Sequence, residues 1–353
     1  MTKLTGSFSF TYERSDEQFA FQDMQIHAAV TGIFGASGSG KSTFLRCLVG
    51  LNHITSGEIY LNETLISSPG KSAGSSFRNM SYLSQATYLF PHLTVNQNIC
   101  YSNSKAFGGA YKDHIIGLLN ASDLMHLFPS QLSGGQKRII AIIRALLAPH
   151  IILILDEPMA GIDKLTAQII SRLLKEHAKK HNVMIIYVSH DIHEISSITD
   201  EIIVISNHTI VSSRPTKETL LDTQFSIDHL KEPISMLSKP NRVDVTDSNI
   251  SFYFNGLIIT TTADIDSSDG SHLLINSSDV AIALNKIDNS SISNQFIAII
   301  DSIIDYPKYN AVLITLDVHG NKIQSLITKT SMSSLNIKEN KQVWCLIKAL
   351  SLI

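Results

Sequence analysis

Residues Gly35 to Thr43 read Gly-Ala-Ser-Gly-Ser-Gly-Lys-Ser-Thr. Glycines packed this densely raise the entropy cost of ordering a helix or a strand, so the segment is expected to be a loop that uses their backbone freedom. The residues before it, Ala28–Phe34, form a short apolar run rich in β-formers and predict a buried strand. Those after it place Phe44, Leu45 and Leu48 at helical spacing and stop at Gly50. A strand, a glycine loop and a helix in that order form the setting in which G-x-x-x-x-G-K-[ST] binds phosphate. Backbone N–H groups converge on the anionic oxygens, and the helix start adds partial positive charge. Gly35, Ala36, Ser37, Gly38, Ser39, Gly40, Lys41, Ser42 and Thr43 are therefore candidate nucleotide-binding residues. Lys41 would reach the β and γ phosphates, Ser42 would ligate Mg2+, and Thr43 would support the α-phosphate.

Further apolar strands are expected at Ile151–Leu155, Val183–Ser189 and Glu201–Ser206, with helical patterns ahead of the first two of these. Continuous apolar strands alternating with helices indicate a mostly parallel sheet covered on both faces. The strand Ile151–Leu155 runs into Asp156 and Glu157, two adjacent carboxylates at a strand's C-terminal end, where ligand sites of α/β sheets form. Asp156 would hold Mg2+ and Glu157 would polarise an attacking water. The stretch Leu132–Gln136, Leu-Ser-Gly-Gly-Gln, precedes another helix and offers a second phosphate-seeking N-terminus, with Ser133 as its cap.

The glycine loop, Leu-Ser-Gly-Gly-Gln and Leu-Ile-Leu-Asp-Glu-Pro, in that order and at these separations, resemble the nucleotide-binding subunits of ATP-binding cassette (ABC) transporters over about residues 1–230. The resemblance implies that the cofactors are ATP and Mg2+. It implies that Tyr12 stacks on adenine, that Gln85 senses Mg2+ and the attacking water, and that His190 contacts the γ-phosphate. It also implies a homodimer paired head to tail, in which Ser133, Gly134, Gly135 and Gln136 of one copy close over ATP held by the other. Asp163 would lie in the loop crossing that interface. The stretch after Gln85 would dock a coupling helix of one of two transmembrane permease subunits. One departure stands after the signature. Arg138–Ala141 reads Arg-Ile-Ile-Ala where the family usually has Gln-Arg-Val-Ala, so Ile139 replaces an arginine and altered local packing is expected.

Near residue 230 the texture changes to a Pro-containing polar stretch, which reads as a linker. Short alternating segments follow: Val312, Ile314, Leu316 and Val318 share one face, and His319–Asn321 signals a hairpin. The expected architecture is thus an α/β P-loop NTPase cassette with a helical subdomain, residues 1–230, followed by a β-rich regulatory region, residues 231–353. Within that region, the start Ser-Ser-Ile-Ser-Asn-Gln at Ser290 and the final segment Asn-Lys-Gln-Val-Trp-Cys-Leu-Ile-Lys-Ala-Leu-Ser-Leu-Ile from Asn340 make 289–353 resemble the small OB-like anion-binding barrel (Mop or TOBE type) of molybdate importer ATPases. The resemblance implies molybdate as cargo, an external molybdate-binding protein as an indirect partner, and molybdate at the barrel as a candidate ligand. Ser293 stands where an arginine is usual, leaving Ser290, Ser291 and Lys348 for an oxyanion, a weaker set without a guanidinium. Sulfate, iron(III), a polyamine or a sugar are the alternative cargoes, and a soluble ABC ATPase without a transport role is the alternative class.

The formal net charge of −3 and the lack of a basic patch argue against a nucleic-acid partner. Three scattered cysteines argue against a disulfide scaffold. The N-terminus has no apolar core behind a basic start, and the apolar run Ile139–Leu155 is broken by Arg144, Pro149 and His150. The chain is therefore expected to be soluble or attached to a membrane only through a partner, and the resemblance to importer ATPases implies a peripheral place on the cytoplasmic face of the inner membrane. His177 and His181, spaced i,i+4, read as a solvated helix face rather than a metal site, because no third ligand is near them in sequence.

Overall fold

The computed structural model describes residues 2–13, 17–73, 78–101, 107–238, 240–246, 249–261 and 272–348. The chain divides into two compact units, Met1–Thr216 and Lys217–Ile353. This division lies before the boundary near residue 230 that the change of texture suggests. The helix Thr223–His229 belongs with the second unit because its last carbonyls are held there. Lys308 Nζ donates to the carbonyls of Ile227 (3.0 Å) and Leu230 (2.6 Å), and the Tyr306 hydroxyl donates to that of Ser226 (3.3 Å). The expected linker is also partly ordered: Ile234–Ser238 and Arg242–Val245 are strands, the first of them anchored by buried Ile234, Met236 and Leu237.

The strands of the first unit are β1 (Leu4–Thr11), β2 (Gln18–Ile26), β3 (Val30–Phe34), β4 (Ser56–Leu61), β5 (Thr64–Ser68), β6 (Lys71–Ser72), β7 (Met80–Leu83), β8 (Ile152–Asp156), β9 (Met184–Val188), β10 (Glu201–Ser206) and β11 (Thr209–Pro215). They form one sheet in the order β6-β5-β4-β1-β2-β11-β10-β3-β9-β8-β7. Strands β7, β8, β9, β3 and β10 pair in parallel. Every residue of β3, β8 and β9 is buried, which is why these strands are apolar without alternation. The remainder of the sheet is largely antiparallel, because short turns such as Asn62-Glu63, both with positive φ, leave no length for a crossover. The helices of this unit are α1 (Lys41–Val49), α2 (Val95–Cys100), α3 (Gly109–Leu118), α4 (Gly134–Leu147), α5 (Lys164–His181) and α6 (Ile192–Ile198). Helix α1 buries Phe44, Leu45, Cys47 and Leu48 in the same cluster as Ile33, Ile154, Ile186 and Val188, so the glycine loop is mounted on the central strands.

His177 is fully buried, contrary to the solvated face expected from its spacing. Phe107 and Tyr111 cover it, and the rings of His150 and His181 adjoin it. Tyr111 Oη lies 2.7 Å from His177 Nδ1, and His177 Nε2 lies 3.2 Å from His150 Nε2. A consistent proton placement has Tyr111 donating to Nδ1 and His177 donating from Nε2, with both imidazoles neutral. Burial pushes His150 down to about 4 and His177 down to about 3 from an ordinary 6.5. Folding therefore favours the neutral rings. Their contribution is present above the ordinary imidazole value of 6.5 and is lost as pH falls from there through about 4 and then about 3. Urea melts between pH 7.5 and 5 are expected to show this slope in the wild type and a flatter one in His177→Leu. An equal slope in both would contradict the assignment.

The second unit is built on β12 (Ile234–Ser238), β13 (Arg242–Val245), β14 (Ile250–Phe254), β15 (Leu257–Thr261), β16 (His272–Asn276), β17 (Val280–Ala283), β18 (Asn294–Tyr306), β19 (Ala311–Val318), β20 (Asn321–Thr328) and β21 (Gln342–Ile347). Its main sheet runs β17-β21-β18-β19-β20 and is curled, since Ser325 Oγ of one edge strand donates to the Val280 carbonyl of the other at 2.5 Å. The His319-Gly320 turn, with φ of 52° and 81°, joins β19 to β20 as the hairpin signal predicts. Val312, Ile314, Leu316 and Val318 enter one core with Phe252, Leu273 and Val343, so strands outside 289–353 share the barrel's interior.

Candidate functional site

The first hydrogen bond of α1 runs from Phe44 N–H to the Gly40 carbonyl, so the amides of Lys41, Ser42 and Thr43 are the helix's unpaired N-terminal donors. Gly35 has to be glycine: a Cβ there would lie 2.2 Å from the Ile205 carbonyl oxygen and 2.7 Å from Ser39 Oγ. Ser39 Oγ is itself buried without a hydrogen-bond partner. Lys41 is buried, and its Nζ donates to the carbonyls of Gly35 and Ala36, both at 2.8 Å. Burial lowers its pKa, while the nearby Glu157 and Asp156 charges oppose that shift. An orphan hydroxyl, three unpaired amides and an ammonium around one loop make a donor set suited to phosphate.

The carboxylates come from the end of β8. Asp156 Oδ2 accepts from Ser42 Oγ at 3.1 Å and from the Tyr82 hydroxyl at 3.3 Å. Burial raises the Asp156 pKa, and the two hydroxyl donors counter it. The oxygens of Ser42 and Asp156 are hard donors of the kind Mg2+ takes. Glu157 has φ of 48°, a left-handed conformation that costs a non-glycine residue on the order of 1 kcal/mol. It is fixed there by a 2.9 Å hydrogen bond from its N–H to the Val188 carbonyl. The turn aims the side chain at two partners: Gln85 Nε2 donates to Oε2 at 3.2 Å, and His190 Nδ1 lies 3.2 Å from Oε1. His190 is 74% exposed and Glu157 22%, so this carboxylate stays within reach of a ligand.

Ser37, Gly38, Gly40, Lys41, Ser42, Thr43, Gln85, Asp156, Glu157 and His190 line one cleft of about 780 Å³, together with Glu17, Phe19 and His208. Gly35, Ala36 and Ser39 support it from the loop's own backbone. Tyr12 stands beside the cleft, its hydroxyl 3.0 Å from Thr43 Oγ1 and its ring edge-on to Phe19. The residues of the second signal lie elsewhere in this unit. Ser133 Oγ accepts from Gln136 N–H at 3.2 Å while Gln136 Oε1 accepts from Ser133 N–H at 2.9 Å, a reciprocal cap on α4. Gly134 has open space at its Cβ position, whereas a Cβ on Gly135 would approach the Gly161 carbonyl oxygen to 3.0 Å. Asp163 caps α5 by accepting from Thr166 N–H at 3.0 Å, which lowers its pKa. In the second unit Ser290, Ser291, Ser293 and Lys348 are all exposed, and Ser290 Oγ is used by the Ile292 N–H at 3.0 Å.

Sequence reasoning passed over three contributors. Tyr82, on the partly buried strand next to β8, carries no motif. His208 sits in the two-residue turn between β10 and β11 with φ of 64°, where glycine is favoured. Its Nε2 lies 3.1 Å from the Gly38 carbonyl oxygen, and its ring lies 4.2 Å from that of Phe19. Arg138 was noticed only as part of a departure from the family's pattern. It lies three, four and seven positions before buried Ala141, Ile142 and Ala145, so helical periodicity marks it as core-facing.

Residues 23–160 match the ABC transporter family, and residues 290–353 match the TOBE domain. The chain is 30% identical over 334 residues to the molybdenum import ATP-binding protein ModC of Saccharophagus degradans, covering 92% of this chain and 91% of that one. It is 29% identical over 341 residues to the protein of the same name from Rhodopseudomonas palustris, covering 92% and 89%. Among solved structures, a dimeric ATP-binding cassette bound to ADP and Pi superposes with a TM-score of 0.52 at 24% identity, over 61% of this chain and 99% of that one. That likeness concerns the fold of the cassette. The phosphate loop, the carboxylates at the end of β8 and this similarity along nearly the whole length agree: the chain belongs to the family of molybdenum import ATP-binding proteins, the ATP-binding subunits of ABC transporters.

Proposed function

We propose that this chain is the ATP-hydrolysing motor of an importer that carries molybdate across the cytoplasmic membrane. The observation that carries the reading is the convergence in one cleft of Lys41, the Ser42–Asp156 pair and a Glu157 carboxylate held by Gln85 and His190. Lys41, the α1 amides and Ser39 receive the triphosphate. Ser42, Asp156 and Gln85 would hold Mg2+ through their oxygens, and the ion would supply neutralisation of the charge on the triphosphate. Glu157 orients and polarises the attacking water, and His190 meets the γ-phosphate. Tyr12 contacts the adenine from the edge of the cleft.

A second copy completes the site head to tail through Ser133, Gly134, Gly135 and Gln136, with Asp163 in the crossing loop. ATP then binds the closed pair better than the open one, and hydrolysis reverses the preference. Two permease subunits dock on the segment after Gln85, and an external molybdate-binding protein delivers the cargo to them. Among the described residues no helix is long and apolar enough to cross a membrane, which suits a peripheral subunit on the cytoplasmic face. Loss of the gene should abolish high-affinity molybdate uptake, and the wild-type chain should restore it where Lys41→Ala does not. Unchanged molybdate uptake with loss of sulfate, iron(III), polyamine or sugar uptake would reassign the cargo.

The region from residue 231 onward acts, in this reading, as a spacer and regulatory element rather than a strong oxyanion site, because Ser290, Ser291 and Ser293 are exposed and Ser293 stands where an arginine is usual. Micromolar molybdate should therefore leave the melting temperature of the full chain unchanged. A rise of several degrees with molybdate or tungstate, absent with chloride, would place an oxyanion site in the barrel.

A further inference from the structure

Arg138 sits one turn into α4 and is 3% exposed. Its guanidinium is satisfied by oxygens of neutral groups on two segments. Nε donates to the Pro158 carbonyl at 3.0 Å, and Nη2 donates to the carbonyls of Asp156 (3.2 Å) and Glu157. Nη1 donates to the carbonyls of Ser84 (3.1 Å) and Gln85 (2.8 Å) and to Thr87 Oγ1 at 3.1 Å. One edge of the planar group thus holds the carboxylate turn, and the other holds the glutamine loop. Desolvation by burial lowers the Arg138 pKa, opposed by the Asp156 and Glu157 charges.

The two held segments carry the side chains that meet at 3.2 Å, Gln85 Nε2 and Glu157 Oε2. Their separation is therefore set through one rigid group on a third element, the helix that begins with Ser133–Gln136. Glu157 needs such support, since its backbone stands in a conformation unfavourable to any residue but glycine or asparagine. The family's usual Gln-Arg-Val-Ala places a shorter neutral amide here, which offers a single NH2 donor group and cannot bridge both segments as a guanidinium fork does.

We propose that Arg138 is a positioning residue for ATP hydrolysis: it locks Gln85 and Glu157 in register with each other and with α4, so that movement of the Ser133–Gln136 end is felt at the reacting water. The proposal rests on the reading that Gln85 and Glu157 act on that water. Lysine at this place keeps the charge but is a point donor, so the fork is lost while the burial is similar.

The test uses the full chain, with circular dichroism and the melting temperature as the folding control. Arg138→Lys should lower kcat by about 100-fold, the scale of a reacting group misplaced by 1 Å. Its ATP affinity, measured by calorimetry, should stay within about threefold of wild type, because the phosphate loop is not touched. The double variant Arg138→Lys/Glu157→Gln should be no slower than Glu157→Gln alone, since both remove the same contribution. A merely structural arginine would give additive losses, or a parallel loss of ATP binding and kcat, and either result overturns the proposal. If Arg138→Lys does not fold, Arg138→Gln is read in the same way. An active wild type with an unimpaired variant overturns this proposal alone, whereas a wild type without ATPase activity overturns the reading of the site as well.

Discussion

Glu157→Gln is expected to lower steady-state ATP turnover by about 100-fold or more, the scale on which a general base contributes. The substitution is nearly isosteric. The amide still fits between Gln85 and His190, which lie 3.2 Å from the two carboxylate oxygens, but it can no longer polarise water as an anion does. Phosphate binding draws on Lys41 and the α1 amides instead, so ATP should still bind. With the chemical step blocked, the ATP-bound pair of copies should accumulate, and sedimentation should show a dimer that persists in ATP and dissociates when nucleotide is removed. Phosphate release within threefold of wild type would sink the role assigned to this carboxylate.

Lys41→Ala should weaken ATP binding by about 100-fold or more, or roughly 2.8 kcal/mol at the affinity scale of tenfold per about 1.4 kcal/mol. The ammonium donates to the Gly35 and Ala36 carbonyls. Alanine removes the cation and leaves Asp156 and Glu157 facing a triphosphate across the same cleft. The loss should therefore exceed that of one neutral hydrogen bond. Lys41→Arg should not rescue binding, because a planar fork does not fit a place built for a point donor. Calorimetric titration of ATP separates the outcomes, and a dissociation constant within threefold of wild type would remove the loop from the nucleotide site.

The parts of this molecule legible in the sequence are those whose physics is local. A glycine loop between an apolar strand and a helix declares itself because each segment has its own composition, and β3 and α1 fall where that pattern puts them. The His319-Gly320 turn is similarly local, since positive φ selects its residues. What depends on partners distant in the chain is less visible. His177 looks like surface by helical spacing until Phe107 and Tyr111 from another segment cover it. Strands Ile234–Ser238 and Arg242–Val245 look like a linker because Pro233 and Pro240 stand beside them and their pairing partners, β16 and β14, are not known from sequence.

The same division holds in the cleft. Lys41, Ser42, Asp156 and Glu157 belong to short motifs, and the sequence brings them forward. Tyr82 and Arg138 act through oxygens of residues 18 to 74 positions away, so their roles appear only once β7, β8 and α4 are packed. The Arg-Ile-Ile-Ala departure draws the eye to the arginine that is missing at Ile139. Its larger consequence is the arginine that is present one residue earlier.

The central claim is that one copy's phosphate loop and a second copy's Ser133–Gly135 end enclose the same ATP. The most direct measurement is a crystal structure of Glu157→Gln grown with ATP and Mg2+. The account predicts two nucleotides at a head-to-tail interface, each with its β and γ phosphates at Lys41 of one copy and its γ-phosphate capped by the α4 N-terminus of the other. A nucleotide bound away from Lys41, or bound there with the α4 end of every neighbouring copy turned away, would contradict it.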